Sequence, residues 1–343
     1  MAAGADSEII NNEMRYIVCL SYLSIPAVLS LTKGQDDFKI ITDQPSLSEF
    51  CKTMFSDDKV IFINRPPEVF GIGKVFLPFK LNKYKAELLK QLGKPKNAEI
   101  YIFYNAFGFH ISWWLTKIKA DNTIYYKPDI DMSMWKERYN IKSVAKQIWI
   151  RLNFNAHTIP VWGGAKFFPK VSDSFIKINQ IKLLDDIFID STYIKQLLEE
   201  KFHIGNQKYL LLVGNTVSDN MVLEQEYVLK TDDMIEIMGT ENVAIKMHPR
   251  FNFLYGKEKD CKIIPNFVPA NIIFENFDTI IGYSSAAIFE AANKGKTAIA
   301  LVNLFEPVSA DNKTNYVNYL NGNLVNGATI YYPNTIEEFK CVI

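Results

Sequence analysis

Two short stretches concentrate the residues able to hold and turn over an anionic substrate. From Val243 to Arg250 (VAIKMHPR) an apolar run ends in Lys246, His248 and Arg250, and from Thr279 to Ser285 (TIIGYSS) a second one ends in Ser284 and Ser285. Each apolar run reads as a buried strand. Ligands of open α/β sheets lie at the carboxyl ends of such strands, which is where both polar clusters fall. Ala286 to Asn293 (AAIFEAAN) follows and is rich in helix formers, so the two hydroxyls would cap a helix. The free amides and dipole of a helix N-terminus favour an anion. The guest these groups suit best is a phosphate, with a protonated imidazole available as a proton donor or a positive charge. An isolated His-Pro is a common strand end, and Ser-Ser before an alanine-rich run is a common cap. The functional reading therefore rests on the two occurring in order, each where a strand gives way to a turn.

Acid–base chemistry at such a site also needs a carboxylate. The strand Thr123 to Lys127 stops at Pro128 and delivers Asp129 and Asp131; the strand Tyr209 to Val213 runs into Gly214, Asn215 and, at the end of that loop, Asp219. Gly214 and Asn215 would let the backbone approach a phosphate or ribose. The plainer reading of the acids is helix capping: Asp129 or Asp131 for a helix from Met132 to about Leu152, and Asp219 for one from Met221 to Met238 ended by Gly239. His110, His157 and His203 adjoin aromatic, turn or helix-end segments and read as structural or exposed.

The His248-Pro249 step on one strand, followed by Ser284-Ser285 opening a helix after the next, resembles the bacterial sialyltransferases that use CMP-activated sugars. The similarity is to the lipooligosaccharide sialyltransferases and polysialyltransferases, and more loosely to transferases of related nonulosonic acids. It implies a GT-B fold, two doubly wound Rossmann-like domains facing across a cleft, with cytidine on the C-terminal domain and the acceptor on the N-terminal one. The donor contacts expected with it come from Pro249, Gly282, Tyr283, Ser284 and Ser285, with His248, if protonated, as general acid or electrostatic stabiliser; Lys246 or Arg250 would add charge where a regular strand sets them on the same side as His248. A third motif of the family, an acidic pair followed by glycine after an N-terminal strand, is matched only in position: Asp129-Ile-Asp131 has no glycine after it. Asp129, then Asp131, then Asp219 are the candidate bases. Where the family commonly has an acid near the ribose, this chain has Asn271.

The elements needed to position these residues are legible as alternating strands and helices. Arg15 to Ser21, Phe38 to Ile41 and Lys59 to Ile63 read as strands with helices between them, a pattern that implies a parallel sheet. Gly71-Ile-Gly73 lacks the third glycine of a dinucleotide fingerprint. Ile159 to Gly164 and Phe167 to Asp173 are rich in turn residues and lack helical periodicity, which places a boundary between about 165 and 190 and divides the chain into residues 1–175 and 176–343. In the second half, Thr297 to Val302 reads as a buried strand, and Tyr316 to Tyr319, Thr329 to Tyr331 and the stretch from Thr335 on would complete the sheet.

Composition bounds the function classes. A chain of 343 residues with 48% hydrophobic and 22% charged residues can bury two cores and is not disordered. Its 38 basic and 38 acidic residues cancel, so no global positive field argues for nucleic acid. Four cysteines (Cys19, Cys51, Cys261, Cys341) lack metal-type spacing and look like reduced thiols. With no signal-like or spanning apolar segment, the expectation is a cytoplasmic protein. Lysines and aromatics are candidates for docking a membrane-borne glycolipid acceptor peripherally at the inner membrane, although no basic amphipathic helix stands out in the sequence.

The expected activity is an inverting transfer of sialic acid, or a related nonulosonic acid, from a CMP-sugar to a hydroxyl of a bacterial surface oligosaccharide or glycolipid. No metal or other cofactor is required, because amides and cations would meet the phosphate charge; the Asp129-Ile-Asp131 spacing keeps metal binding as a minor alternative. Competing readings are a CMP-linked 3-deoxy-octulosonate, pseudaminic or legionaminic acid transferase, or a non-catalytic protein of polysaccharide assembly that keeps the fold. A UDP-sugar transferase or epimerase is disfavoured by the lack of a glycine-rich loop after the first strand.

Overall fold

The computed structural model describes residues 14–66, 77–103, 108–127, 136–163, 166–184, 187–205, 207–214, 216–248, 253–283, 285–307 and 310–343. The chain divides into two compact units, Met1–Ile189 and Asp190–Ile343.

The first unit is built on β1 (Arg15–Val18), β2 (Phe38–Thr42), β3 (Val60–Phe62), β4 (Glu99–Phe103) and β5 (Thr123–Lys127), paired in the order β3-β2-β1-β4-β5 and parallel throughout. Parallel neighbours need crossovers. These carry α1 (Ile25–Thr32), α2 (Pro45–Met54), α3 (Leu77–Leu92) and α4 (Phe109–Ile118). Apolar residues alternate along the strands as the pleat requires. Val18, Ile41, Ile100, Ile102, Ile124 and Tyr126 pack against Leu81, Leu88 and Leu92 of α3 and Ile111, Trp114 and Ile118 of α4.

Beyond β5 the sequence reading needs correction. Asp129 and Asp131 lie outside the described residues, as does Gly71-Ile-Gly73. The helix expected from Met132 instead begins at Ile141: β6 (Lys136–Glu137) comes first, then α5 (Ile141–Phe154). Asn140 caps α5, accepting from the Ser143 amide at 2.8 Å while the Ser143 hydroxyl accepts from the Asn140 amide at 2.9 Å. The cap position is therefore filled, and neither Asp129 nor Asp131 is needed for it. The turn-rich stretch after α5 forms β7 (Thr158–Gly163) and β8 (Lys166–Val171), an antiparallel hairpin with β6 on its edge. Two prolines are tolerated there because Pro160 faces Pro169 in the register, and the Pro160 carbonyl accepts from Arg138 on the β6 side. Neither ring nitrogen is asked to donate between β7 and β8.

After α6 (Asp173–Ile178), β9 (Lys182–Leu183) joins the edge of the parallel sheet beside β5. That pairing keeps residues 176–189 with the first unit, so the division falls after Ile189, 14 residues beyond 175.

The second unit opens with α7 (Ser191–Phe202) and continues through β10 (Tyr209–Val213), α8 (Glu224–Met238), β11 (Val243–Met247), β12 (Lys262–Ile264), α9 (Ala270–Ile273), β13 (Thr279–Gly282), α10 (Ala286–Asn293), β14 (Thr297–Ala300), α11 (Ala310–Asn321) and α12 (Ile336–Val342). The strands pair in the order β12-β11-β10-β13-β14, all parallel. Tyr209, Leu211, Val243, Ile245, Ile281 and Ile299 face Tyr227, Met234, Ile235 and Met238 of α8 and Phe339 of α12. On the opposite face Leu212, Ala298 and Ala300 meet Ile288 and Ala292 of α10 and Leu320 of α11. The sheet is thus doubly wound, as expected, and two such units occur in one chain.

The C-terminal stretch differs from its reading. Tyr316 to Tyr319 is helical, as is the segment from Ile336, and Tyr331 makes only an isolated bridge to Ile299. The alternation of tyrosines with polar residues misleads there, because α11 buries one narrow stripe through Leu320. All four cysteines are free, and Cys341 alone among them is exposed.

Candidate functional site

The strand order of the second unit reverses between β10 and β13: from β10 the chain winds to β11 and β12 on one side, and β13 and β14 lie on the other. Such a reversal opens a crevice beyond the carboxyl ends of the two central strands. The register puts those ends at one level, with Val213 opposite Met247 and Leu212 opposite Gly282. Gly214 on one side and Tyr283 and Ser285 on the other therefore flank the crevice. A Cβ on Gly214 would meet nothing within 4 Å, so the backbone there is open to a ligand.

His248 stands one strand further out. Its amide donates to the Val213 carbonyl at 2.8 Å, extending the β10–β11 ladder one residue past β11. Val243 and Ile245 face the α8 side. Alternation then places Ala244, Lys246 and His248 on the other side, the face that carries α10. His248 is exposed while Lys246 is buried. Two strand spacings, about 10 Å, separate the β11 and β13 ends, a span that an imidazole and one phosphate fill together.

Ser285 occupies the N-cap of α10 in extended conformation, and its hydroxyl accepts from the Ala287 amide at 3.3 Å. It is exposed at the carboxyl end of β13. Gly282 has a packing reason to be glycine. An added Cβ would lie 3.0 Å from the Leu212 Cβ and 3.4 Å from the Ile288 Cδ1, so its absence lets α10 sit close on the sheet. Tyr283 turns its ring to the α8 side, between Phe305 and Tyr316 at centroid distances of 6.0 and 6.2 Å. Burial pushes its phenol up to about 12, and its hydroxyl has no hydrogen-bond partner among the described residues.

Lys246 does not reach the crevice as a free cation. Its Nζ donates to the carbonyls of Met247 and, at 3.1 Å, Asn266, and burial lowers its pKa to about 8. It ties the turn after β12 to the end of β11 and so positions His248. Asn271 is half-buried in the first turn of α9, with its carbonyl held by Lys294 Nζ at 2.8 Å. Asp219 is exposed in the turn between β10 and α8; it does not cap α8, whose N-cap is Leu223. Pro249, Arg250, Ser284 and Asn215 lie outside the described residues.

A second polar cluster, for which the sequence offers no motif, sits at the carboxyl edge of the first sheet. Asp43 follows β2, Arg65 follows β3, and His110 lies in the first turn of α4. Arg65 Nε donates to Asp43 Oδ2 at 3.2 Å; His110 Nε2 is 3.9 Å from the same oxygen, too far for a hydrogen bond. Both ring nitrogens of His110 are buried without a partner among the described residues. Burial, and secondarily the Arg65 charge, lowers the imidazole to about 3, while burial raises the Asp43 carboxyl against the pull of Arg65. Both shifts favour the uncharged forms. The signal for this cluster is only that Asp43, Arg65 and His110 each follow a strand.

No family model matches the chain, and no curated protein matches it in sequence. Among solved structures it is similar to the UDP-GlcNAc 2-epimerase of Neisseria meningitidis (13% identity, 96% of this chain and 89% of that one, TM-score 0.41). The UDP-GlcNAc 2-epimerase of Methanocaldococcus jannaschii aligns at 14% identity over 92% and 94% of the two chains with a TM-score of 0.40. The wall teichoic acid polymerase TagF aligns at 10% identity over 96% and 79%, also at 0.40. These scores lie below 0.5, and the fold class rests on the strand orders given above. Two doubly wound α/β units in one chain are what the GT-B resemblance leads one to expect.

Proposed function

We propose that this protein is an inverting glycosyltransferase that moves a nonulosonic acid, sialic acid in the first instance, from CMP to a hydroxyl of a surface oligosaccharide or glycolipid. The observation that carries the reading is the His248 amide bonded to the Val213 carbonyl. It sets His248 beside Gly214, on the sheet face that carries the Ser285-capped helix, and so supports taking His248 and Ser285 together as parts of one strand-end site.

In this reading the phosphate of the donor lies at the N-terminus of α10, met by Ser284, Ser285 and first-turn amides. The bond from the anomeric carbon to the phosphate oxygen breaks, leaving an oxocarbenium-like centre and an added negative charge on CMP. Protonated His248 donates its proton to that oxygen, or stabilises its charge. A carboxylate, Asp129 or Asp131 first and Asp219 second, takes the proton of the acceptor hydroxyl as its oxygen bonds the anomeric carbon from the opposite face. Configuration inverts, and atoms and protons balance without a cofactor. Asn271 and Gly214 are assigned to the ribose side of the nucleotide. Tyr283 and Gly282 act through packing beneath the site, and Lys246 through its hold on the end of β11.

The test is CMP release from CMP-linked sialic, octulosonic, pseudaminic and legionaminic acids, without acceptor and then with lipooligosaccharide or capsule fragments. Consumption of one of these donors, accelerated by an acceptor, is expected. Turnover of UDP-sugars in place of every CMP-sugar would overturn the donor assignment, and turnover of none would leave a binding protein on the same fold.

A further inference from the structure

Helix α5 is apolar on two opposite faces. Its inward face is ordinary: Ser143, Ile150 and Phe154 are buried in the first unit's core. Its outward face carries Ile141, Val144, Ile148 and Leu152, a spacing of three, four and four residues that lines one stripe. These side chains are 90%, 40%, 55% and 80% exposed, and Tyr139 just before the helix is 58% exposed. A helix apolar on both sides is normally covered on both. Here four large aliphatic side chains in one row face solvent, far from the scattered single exposures usual on a soluble surface.

The flanks say what covers the stripe. From Arg138 to Phe154 the chain has four basic residues (Arg138, Lys142, Lys146 and Arg151) and no acidic one, although basic and acidic residues balance over the whole chain. At 100° per residue, Arg151 borders one side of the stripe and Lys142 flanks the other, while Lys146 lies toward the buried face beside Ile150. We propose that α5 docks in the interface of an anionic lipid membrane, with Ile141, Val144, Ile148 and Leu152 entering the acyl boundary and the bordering cations meeting acidic headgroups. Long basic side chains at the edge of an apolar stripe can lie along it and keep their charge at headgroup level. A second copy of the chain fits less well, because a two-fold contact through this face sets the same cations against each other. Nucleic acid would use the cations and leave the apolar stripe exposed.

The helix is formed before it meets lipid. The Asn140–Ser143 capping box fixes its start and the left-handed Asn155 its end, so docking orders no new segment. The proposal stands apart from the donor assignment, since it concerns another face and another ligand.

The experiment is flotation of the full chain with vesicles of equal parts phosphatidylglycerol and phosphatidylcholine, against vesicles of phosphatidylcholine alone. The wild-type chain is expected to float with the anionic vesicles, less so as salt is raised to about 0.5 M, and to stay behind with the neutral ones. Ile148→Asp with Leu152→Asp should weaken binding at least tenfold, and Lys142→Glu with Arg151→Glu should do the same. All four residues are exposed, so the circular dichroism spectrum and urea midpoint should be preserved. Failure of the wild-type chain to float with anionic vesicles, or equal flotation of the variants, would overturn the proposal. So would a dimer in gel filtration that the Ile148→Asp, Leu152→Asp variant splits, which would assign the face to a second copy.

Discussion

Replacing His248 with alanine should lower the rate of CMP release at least about a hundredfold, the range of a lost general acid and close to 2.7 kcal/mol of barrier. The residue is suited to the test because it is exposed and follows the last residue of β11, outside both apolar faces of the sheet. What holds it there is a backbone bond, which alanine keeps. The variant should therefore fold with an unchanged urea midpoint, and the loss should fall mainly on kcat, as for an interaction made in the transition state. A variant within about threefold of wild type would remove the imidazole from the chemistry and leave it a strand end.

Acid should destabilise the first unit through His110. Its folded pKa of about 3 lies below the ordinary 6.5 because burial disfavours the imidazolium and the Arg65 charge adds to that effect. Between those values the unfolded chain binds a proton that the native chain does not. Stability is therefore full above about pH 6.5 and falls as pH drops toward 3, by up to about 1.4 kcal/mol per pH unit. The groups facing the imidazole set how much of that is seen. Asp43 lies 3.9 Å away, and its carboxyl, raised by burial, becomes a partner for the imidazolium if the contact tightens. Tyr84 packs edge-on at 6.5 Å and Phe109 at 6.2 Å, neither with a charge to offer. His110→Leu, of similar volume and without orphaned nitrogens, should flatten the urea midpoint against pH below 6.5 and raise it at pH 4. An unchanged slope would assign the acid sensitivity to the carboxylates instead.

Much of this was legible in the sequence, for identifiable reasons. Both central strands of the second unit are continuous apolar runs that end in polar residues, and β-α alternation leaves few topologies once every crossover is right-handed. The Ser285 cap and the Gly239 stop of α8, at φ 78°, follow from residue type alone. The misreadings share a cause in tertiary context. Prolines at 160 and 169 looked like turns because pairing with each other, away from donor positions, cannot be seen in one dimension. The helix placed from Met132 ran over Lys136 and Glu137, whose strand character comes only from pairing with β7. Lys246 looked like a free cation beside His248 and is a buried tie between two turns. Tyr283, expected among the donor contacts, packs on the α8 side of the sheet, since consecutive residues at a strand end face opposite ways. The outward stripe of α5 is not legible in one dimension, because its second apolar face becomes meaningful only when the first is known to be buried.

The central claim is that the β10–β13 crevice holds a cytidine monophosphate. Its most direct test is the shift in unfolding temperature and the titration heat with CMP, UMP and UDP, each added to the full chain without acceptor. CMP is expected to bind and, at a hundredfold excess over its dissociation constant, to stabilise the second unit by about 2.7 kcal/mol, with UMP and UDP weaker by tenfold or more. Binding of UDP with no response to CMP would contradict the account and move the chain to the UDP-sugar enzymes.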